Sequence, residues 1–491
     1  MLQKYPGGYV TIFYGSQTGT AESFSKEIER EGENNGFKIE CVDLEDIEDS
    51  IADGILKDHK KDENGKHRVI FMMATYGEGE PTDNAVSFIK FLKEGGVTSE
   101  EDIEQPDDDG EEKKGDDVML GKSNVFKDVE YSVFGLGNKQ YEHYNATGKL
   151  VDSLVENLGG SRITKLGLGD DDNDLESDFD NWKDNTLWPA LKKRYNKKSD
   201  LKNPVEVSNE MPECPYVVEF LENPSEADVM SGENVNGSSK HYFTATECEV
   251  TLKRELRGPN DSGSTIHVEI DATELKYQTA DNLGILPVND DATIEKIAKA
   301  LKYDLSAYFK LAPAEGYESK FDTLFPMPCT VHQCLARYCD LVGYPSRSEL
   351  KRFAKYAKDP TCQKALLRMA SKQGKAEYKE KIVDAKMGIV DIITRLCPSI
   401  SMPLEHFITV CPRLKPRYYT ISSSASVHPK SIHATVSVLS EERKDGSTFK
   451  GICSNYLSEI NNNGKIQAFV KDSTFRLPSN VSSGPIIFTF F

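Results

Sequence analysis

No stretch of this chain approaches the roughly 18 to 20 consecutive apolar residues that span a bilayer, so no transmembrane helix is expected within it. The start, Met1-Leu2-Gln3-Lys4, leads into neither an apolar core segment nor an Arg-rich, acid-poor presequence. No secretory or organellar signal is therefore expected, and a membrane anchor would have to lie upstream. Positive charge is in short supply: 60 Lys and Arg face 80 Asp and Glu, a net charge of -20. That balance argues against nucleic acid and fits simple solubility or a basic protein partner. Paired-cysteine motifs are missing as well. Ten cysteines are scattered without a Cys-x-x-Cys, so neither a disulfide framework nor a metal site is indicated. The tightest group, Cys329, Cys334 and Cys339, has five-residue spacing, which on a helix spreads thiols around the axis.

What is present reads as a multidomain globular protein. Its 491 residues exceed one ordinary domain, and 38% hydrophobic with 29% charged residues suffices for several cores. Residues 1–191 alternate strand-like and helix-like stretches, the pattern of a doubly wound parallel sheet. Buried strands are predicted at Tyr9–Tyr14, Val69–Ala74 and Val129–Phe134, and an amphipathic helix follows from Ala21 to Glu33, where Phe24 and Ile28 lie one turn apart. An acidic, low-complexity run at 99–124 cannot bury apolar surface and is expected to be a disordered insertion. Residues 192–240, rich in Lys, Asn, Ser, Pro and Glu, read as a linker. Strand-like alternation at 242–252 and 264–270, helical patterning from about 292 to 396, and further strand-like stretches at 417–422 and 432–439 suggest a barrel interrupted by helices.

Between the first strand and helix stands Ser16-Gln17-Thr18-Gly19-Thr20-Ala21. Hydroxyls, a permissive glycine and helix N-terminal N–H groups converge there, which suits phosphate. Plain N-capping would explain one hydroxyl but not three so close together. The loop lacks Gly-x-x-x-x-Gly-Lys and Gly-x-Gly-x-x-Gly, so a monophosphate is the better match. Two more loops follow strands of the same expected sheet. One holds Ala74, Thr75, Tyr76 and Gly77; the other runs Leu136-Gly137-Asn138-Lys139-Gln140-Tyr141-Glu142-His143-Tyr144-Asn145. Each sets an aromatic beside glycines, so Tyr76 and Tyr141 could stack on a flat ring while the backbone approaches its edge. A phosphate loop with two aromatic loops describes FMN.

These strings, together with Leu166-Gly167-Leu168-Gly169-Asp170-Asp171-Asp172, resemble the FMN domain of the NADPH-hemoprotein reductases in the diflavin reductase family. The resemblance implies that Ser16 to Ala21 hold the FMN phosphate, that Tyr76 and Tyr141 flank the isoalloxazine, that Leu136 to Asn145 line it, and that Asp171 lies beside it. It also implies that the acidic stretch Asp170 to Asp180 docks a hemoprotein. Further on, Pro412 to Thr420 is similar to the family's FAD motif and Lys450 to Leu457 to its second FAD loop. By that likeness Arg417, Tyr418, Tyr419, Thr420, Gly451, Ile452, Cys453 and Ser454 contact FAD, with the Thr420 hydroxyl in the catalytic position usually held by serine.

The implied architecture is a flavodoxin-like α/β domain (1–191), then an antiparallel FAD-binding barrel (241–290 and 408–480) with an inserted helical connecting domain (291–407). Residues 481–491 read as the truncated start of an NADPH-binding domain, because the family's glycine-rich nicotinamide loop does not follow. The implied activity carries electrons from NADPH through FAD and FMN to a hemoprotein such as a cytochrome monooxygenase or cytochrome c. A non-catalytic FMN-binding electron-transfer module, or another soluble diflavin enzyme such as the sulfite reductase flavoprotein, is the alternative. The expected location is cytoplasmic, or the cytoplasmic face of the endoplasmic reticulum if an anchor lies upstream.

Overall fold

The computed structural model describes residues 5–17, 19–47, 56, 59–62, 65–77, 79–95, 124–195, 213–222, 235, 239–278, 280–317 and 323–473. The acidic run expected to be disordered, Thr18 and the 481–491 segment lie outside them. The chain divides into two compact units, 1–209 and 210–491.

In the first unit β1 (Gly8–Gly15), β2 (Phe37–Asp43), β3 (His67–Tyr76), β4 (Val129–Gly137) and β5 (Gly167–Asp170) form a parallel sheet in the order β2-β1-β3-β4-β5. The helices α1 (Thr20–Gly32), α2 (Val86–Lys93), α3 (Ala146–Asn157) and α4 (Leu175–Trp182) cover both faces. A sheet buried on both sides needs near-continuous apolar strands, and the sequence supplies them. Val10, Ile12 and Tyr14 of β1 pack with Phe24 and Ile28 of α1 and with Phe179 and Trp182 of α4. From the other face Phe13, Phe71 and Val133 pack with Phe88, Ile89 and Val151. The Phe24 and Phe179 rings stack at 4.0 Å, joining α1 to α4. This is the doubly wound, flavodoxin-like fold expected, and all three predicted strands and the first helix are present.

The second unit contains β6 (Thr246–Glu255), β7 (Ser264–Asp271), β8 (Asn282–Leu286), β9 (Arg417–Thr420), β10 (Ser431–Val438), α5 (Ile452–Glu459) and β11 (Lys465–Lys471). The strands run antiparallel in the order β9-β8-β11-β6-β7-β10. Just past β9, Ile421 pairs with Ala434 of β10, which returns the last strand to the first and closes a barrel. Closure leaves no long edge exposed. Its interior is lined by Val250, Ile266, Val268, Ile270, Ile285 and Val436. Between β8 and β9 the chain leaves the barrel and builds a separate core around Ile294, Phe309, Leu335, Phe353 and Phe407.

Three expectations need correction. Tyr216–Leu221, inside the range read as linker, is a strand paired with Tyr308–Pro313, itself inside the range read as helical. Both runs are six residues long, and their alternation is submerged in polar flanks. His241–Thr244 is a helical turn, so the strand predicted from 242 begins at Thr246. The buried Cys334, Cys339 and Cys411 thiols gather in one cluster, contrary to the expectation of dispersed thiols. The helix carrying Cys334 ends at Arg337, so helical spacing no longer governs Cys339.

Candidate functional sites

In an open parallel sheet a ligand crevice forms beyond the carboxyl ends of the strands, where neighbouring connections diverge to opposite faces. Here β1 lies between β2 and β3, and the three predicted loops leave the ends of β1, β3 and β4. The fold thus assembles them at one edge.

Gly19 caps α1 in a left-handed conformation at φ 88, and no side chain among the described residues caps that helix. Its first amides consequently point into the loop. The Ser16 hydroxyl is buried and has no hydrogen-bond partner among the described residues. A buried hydroxyl beside an uncapped helix start is the arrangement a phosphate would complete.

What holds the loop was not among the predicted site residues. The Ser16 amide donates to Asn84 Oδ1 at 2.9 Å and the Thr82 hydroxyl donates to the same oxygen at 2.8 Å. Asn84 Nδ2 donates to Asp43 Oδ1 at 2.7 Å and to the Tyr14 carbonyl at 3.3 Å. Gln17 exchanges two bonds with Asp83: its Nε2 donates to Oδ2 at 2.7 Å, and the Asp83 amide donates to its Oε1 at 3.1 Å. Asp43 is buried, and desolvation, only partly offset by bonds from the Glu45 amide and Asn84, pushes its carboxyl up to about 6. The sequence signal was the polar run Thr82-Asp83-Asn84 directly after a proline, a composition that turns back onto nearby backbone.

Tyr76, the last residue of β3, and Tyr141, in the loop that follows β4, are 50% and 61% exposed. A large ring held at a crevice without burial is available for stacking. The third loop is rigid beneath its exposed tyrosine. Asn145, buried and left-handed at φ 55, donates through Nδ2 to the Gly169 carbonyl at 2.9 Å. Asp170 accepts from the Lys139 amide at 3.0 Å and pairs with Lys139 Nζ at 3.1 Å. The acidic stretch is in part internal structure: Asp174 caps α4 through the Ser177 amide, and Asp178 accepts from the Asp170 amide. Asp171 and Asp172 remain exposed.

In the second unit, strand alternation turns Arg417 and Tyr419 to one face of β9 and the more exposed Tyr418 and Thr420 to the other. These four do not present a single surface. Tyr419 lies beside the buried Cys453 thiol, which burial pushes up to about 11. Gly451 caps α5 with no side-chain bond. Its amide donates to the Leu439 carbonyl at 2.9 Å. Cys453 and Ser454 point inward, and the Ser454 hydroxyl accepts from the Leu439 amide at 3.1 Å. What α5 offers a ligand is its backbone N–H groups. Arg417 is 43% exposed and its ion pair with Asp340 is long at 3.9 Å, so its guanidinium keeps donors to spare. A cation near an uncapped helix start suits a pyrophosphate.

Comparison with known proteins adds an independent line. Residues 12–182 match the flavodoxin family model, and residues 236–456 match that of the FAD binding domain. The chain is 34% identical to the NADPH–cytochrome P450 reductase of Homo sapiens, over 99% of its own length and 67% of the relative's. The enzymes of the same name from Rattus norvegicus, at 33%, and Drosophila melanogaster, at 32%, are covered to the same extents.

Proposed function

The chain belongs to the NADPH–cytochrome P450 reductase family of diflavin oxidoreductases, and from that premise we propose that it carries electrons from NADPH by way of FAD and FMN to a hemoprotein. The observation that supports this best is the pairing, in one chain, of two helix starts without a side-chain cap among the described residues: α1, preceded by the orphaned Ser16 hydroxyl in a unit with two exposed tyrosines, and α5, in a unit with the half-exposed Arg417. When bound, two flavins supply the conversion of a two-electron donor into single-electron steps.

The residues divide that work. Ser16, Thr18 and Thr20, with the amides of Gly19 to Ala21, take the FMN phosphate without a cation. Asn84 and Asp43 keep the loop in the receiving shape. Tyr76 and Tyr141 cover the ring faces, residues 136 to 145 border the ring, and Asp171 sits at its side. In the barrel, Arg417 and the amides of Ile452 to Ser454 hold the FAD pyrophosphate. Tyr419 covers the ring and Thr420 offers it a hydroxyl. Asp171 and Asp172, the exposed members of the acidic stretch, are the groups best placed to attract a basic acceptor, although the Asp172 carboxylate also accepts from Gln140 Nε2. Among the described residues no helix is long and apolar enough to cross a membrane. We place the work in the cytoplasm, or at the cytoplasmic face of the endoplasmic reticulum if an anchor lies upstream.

Mixing the purified chain with NADPH and cytochrome c tests this. FMN-dependent reduction is the expected result; bound flavins without turnover would overturn NADPH as the donor to this chain.

A further inference from the structure

Strands β7 and β10 are antiparallel neighbours in the barrel, in a register that sets Glu269 directly opposite His433 and His267 opposite Thr435. Ile266, Val268 and Ile270 point into the core, as do Ile432 and Ala434, so His267, Glu269 and His433 share the outer face. One direct pair and one residue two positions along are near enough for their side chains to meet. They do: His267 Nε2 lies 3.0 Å from Glu269 Oε1, and His433 Nε2 lies 3.7 Å from Glu269 Oε2. One donor atom from each residue falls within 4.8 Å of the other two.

The outer face does not leave these groups in bulk solvent. The His433 side chain is 13% exposed and that of His267 15%. His433 Nε2 is buried and has no hydrogen-bond partner among the described residues. A buried ring nitrogen without a partner forfeits hydrogen-bond energy unless something else takes its lone pair.

We propose that His267, Glu269 and His433 form a binding site for a divalent cation of the zinc class, with the fourth position open. Two imidazoles and a carboxylate are a donor set zinc accepts, with ligand bonds near 2.0–2.2 Å. Donor atoms on a tetrahedron of that size are separated by roughly 3–4 Å, and one donor atom from each of the three residues already lies within 4.8 Å of the others, so side-chain adjustment alone can bring them onto one ion. Nitrogen donors disfavour calcium and magnesium, which take oxygen. On binding, His267 in its Nδ1–H tautomer offers the Nε2 lone pair to the ion in place of its contact with Glu269. The ion then clamps β7 to β10, a structural cross-link separate from the flavin chemistry.

The sequence carried half of this signal. His267 and Glu269, two apart on a strand, share a face by periodicity, but only the register of β10 brings in His433.

The test is equilibrium dialysis of the full chain against zinc, read by elemental analysis, with cobalt as a spectroscopic substitute. About one zinc per chain is expected. His433→Gln and Glu269→Gln, which keep size and polarity, should each weaken binding by at least the roughly 10–100-fold that even outer-shell substitutions produce. Retained FAD in these variants would show that the barrel is folded. The cobalt form should lack thiolate charge-transfer bands, since ten cysteines offer a competing donor set. No zinc bound, binding unchanged by both substitutions, or thiolate bands in the cobalt spectrum would each overturn the proposal.

Discussion

The two candidate flavin regions solve the same problem, an anion at a helix start and a flat ring nearby, with opposite architectures. In the first unit the ligand groups sit on three loops at the ends of buried parallel strands, and the tyrosines stand half or more exposed. In the second they sit on a barrel strand and a helix start, where Cys453 is buried and Ser454 is already committed to an internal bond. A loop site can be lost without loss of the core beneath it. A strand site shares its residues with the barrel wall, so ligand and fold are harder to separate.

Asn84→Ala should have the largest effect on that contrast. It leaves the Ser16 amide, the Thr82 hydroxyl and Asp43 without their common partner, which should destabilise the first unit by about 3 kcal/mol. FMN should be lost while FAD is retained, as measured by release and quantification of both flavins. Asp43→Asn works in the other direction. Both of its hydrogen bonds arrive at Oδ1, so the amide keeps them. With the carboxyl raised from 3.8 to about 6, its contribution to stability is complete below about pH 4 and is lost as pH rises through 6. The variant should therefore lose that pH slope and be more stable at pH 7 by on the order of 2–3 kcal/mol, seen in urea melts across pH. Unchanged slopes would remove Asp43 from the account.

Arg417→Ala tests the other side of the comparison. Loss of a charge-assisted contact should weaken FAD by about 1.5–3 kcal/mol and leave FMN untouched, as fluorescence titration would register. Tyr141→Ala should have the smallest effect, about 1 kcal/mol in FMN affinity, with no shift in melting because the ring is exposed. A large fall in melting temperature would show that Tyr141 is structural and would erase the distinction between the two architectures.

The same contrast governs how much could be read from the sequence. Loop sites keep their motifs contiguous, so Ser16 to Ala21 and the tyrosine loops announced themselves, and apolar strands such as Val69–Ala74 marked the sheet between them. The Asn84 hub was less legible, because Asp43 and Ser16 reach it from positions far apart in the chain. In the barrel, alternation showed that Arg417 and Tyr418 lie on a strand, but not that Tyr419 lies beside Cys453. That pairing is set by how β9 packs against α5. The strand Tyr216–Leu221 escaped notice because its partner, Tyr308–Pro313, follows some 90 residues later. The Cys334, Cys339 and Cys411 cluster was hidden for a similar reason, since two chain segments meet only once the helices have packed.

Quantifying FMN and FAD released from the wild-type chain, Asn84→Ala and Arg417→Ala tests the two-site account most directly. It predicts both flavins in the wild type, selective loss of FMN from the first variant, and selective loss of FAD from the second. Loss of both flavins from either variant, or of neither from both, would contradict it.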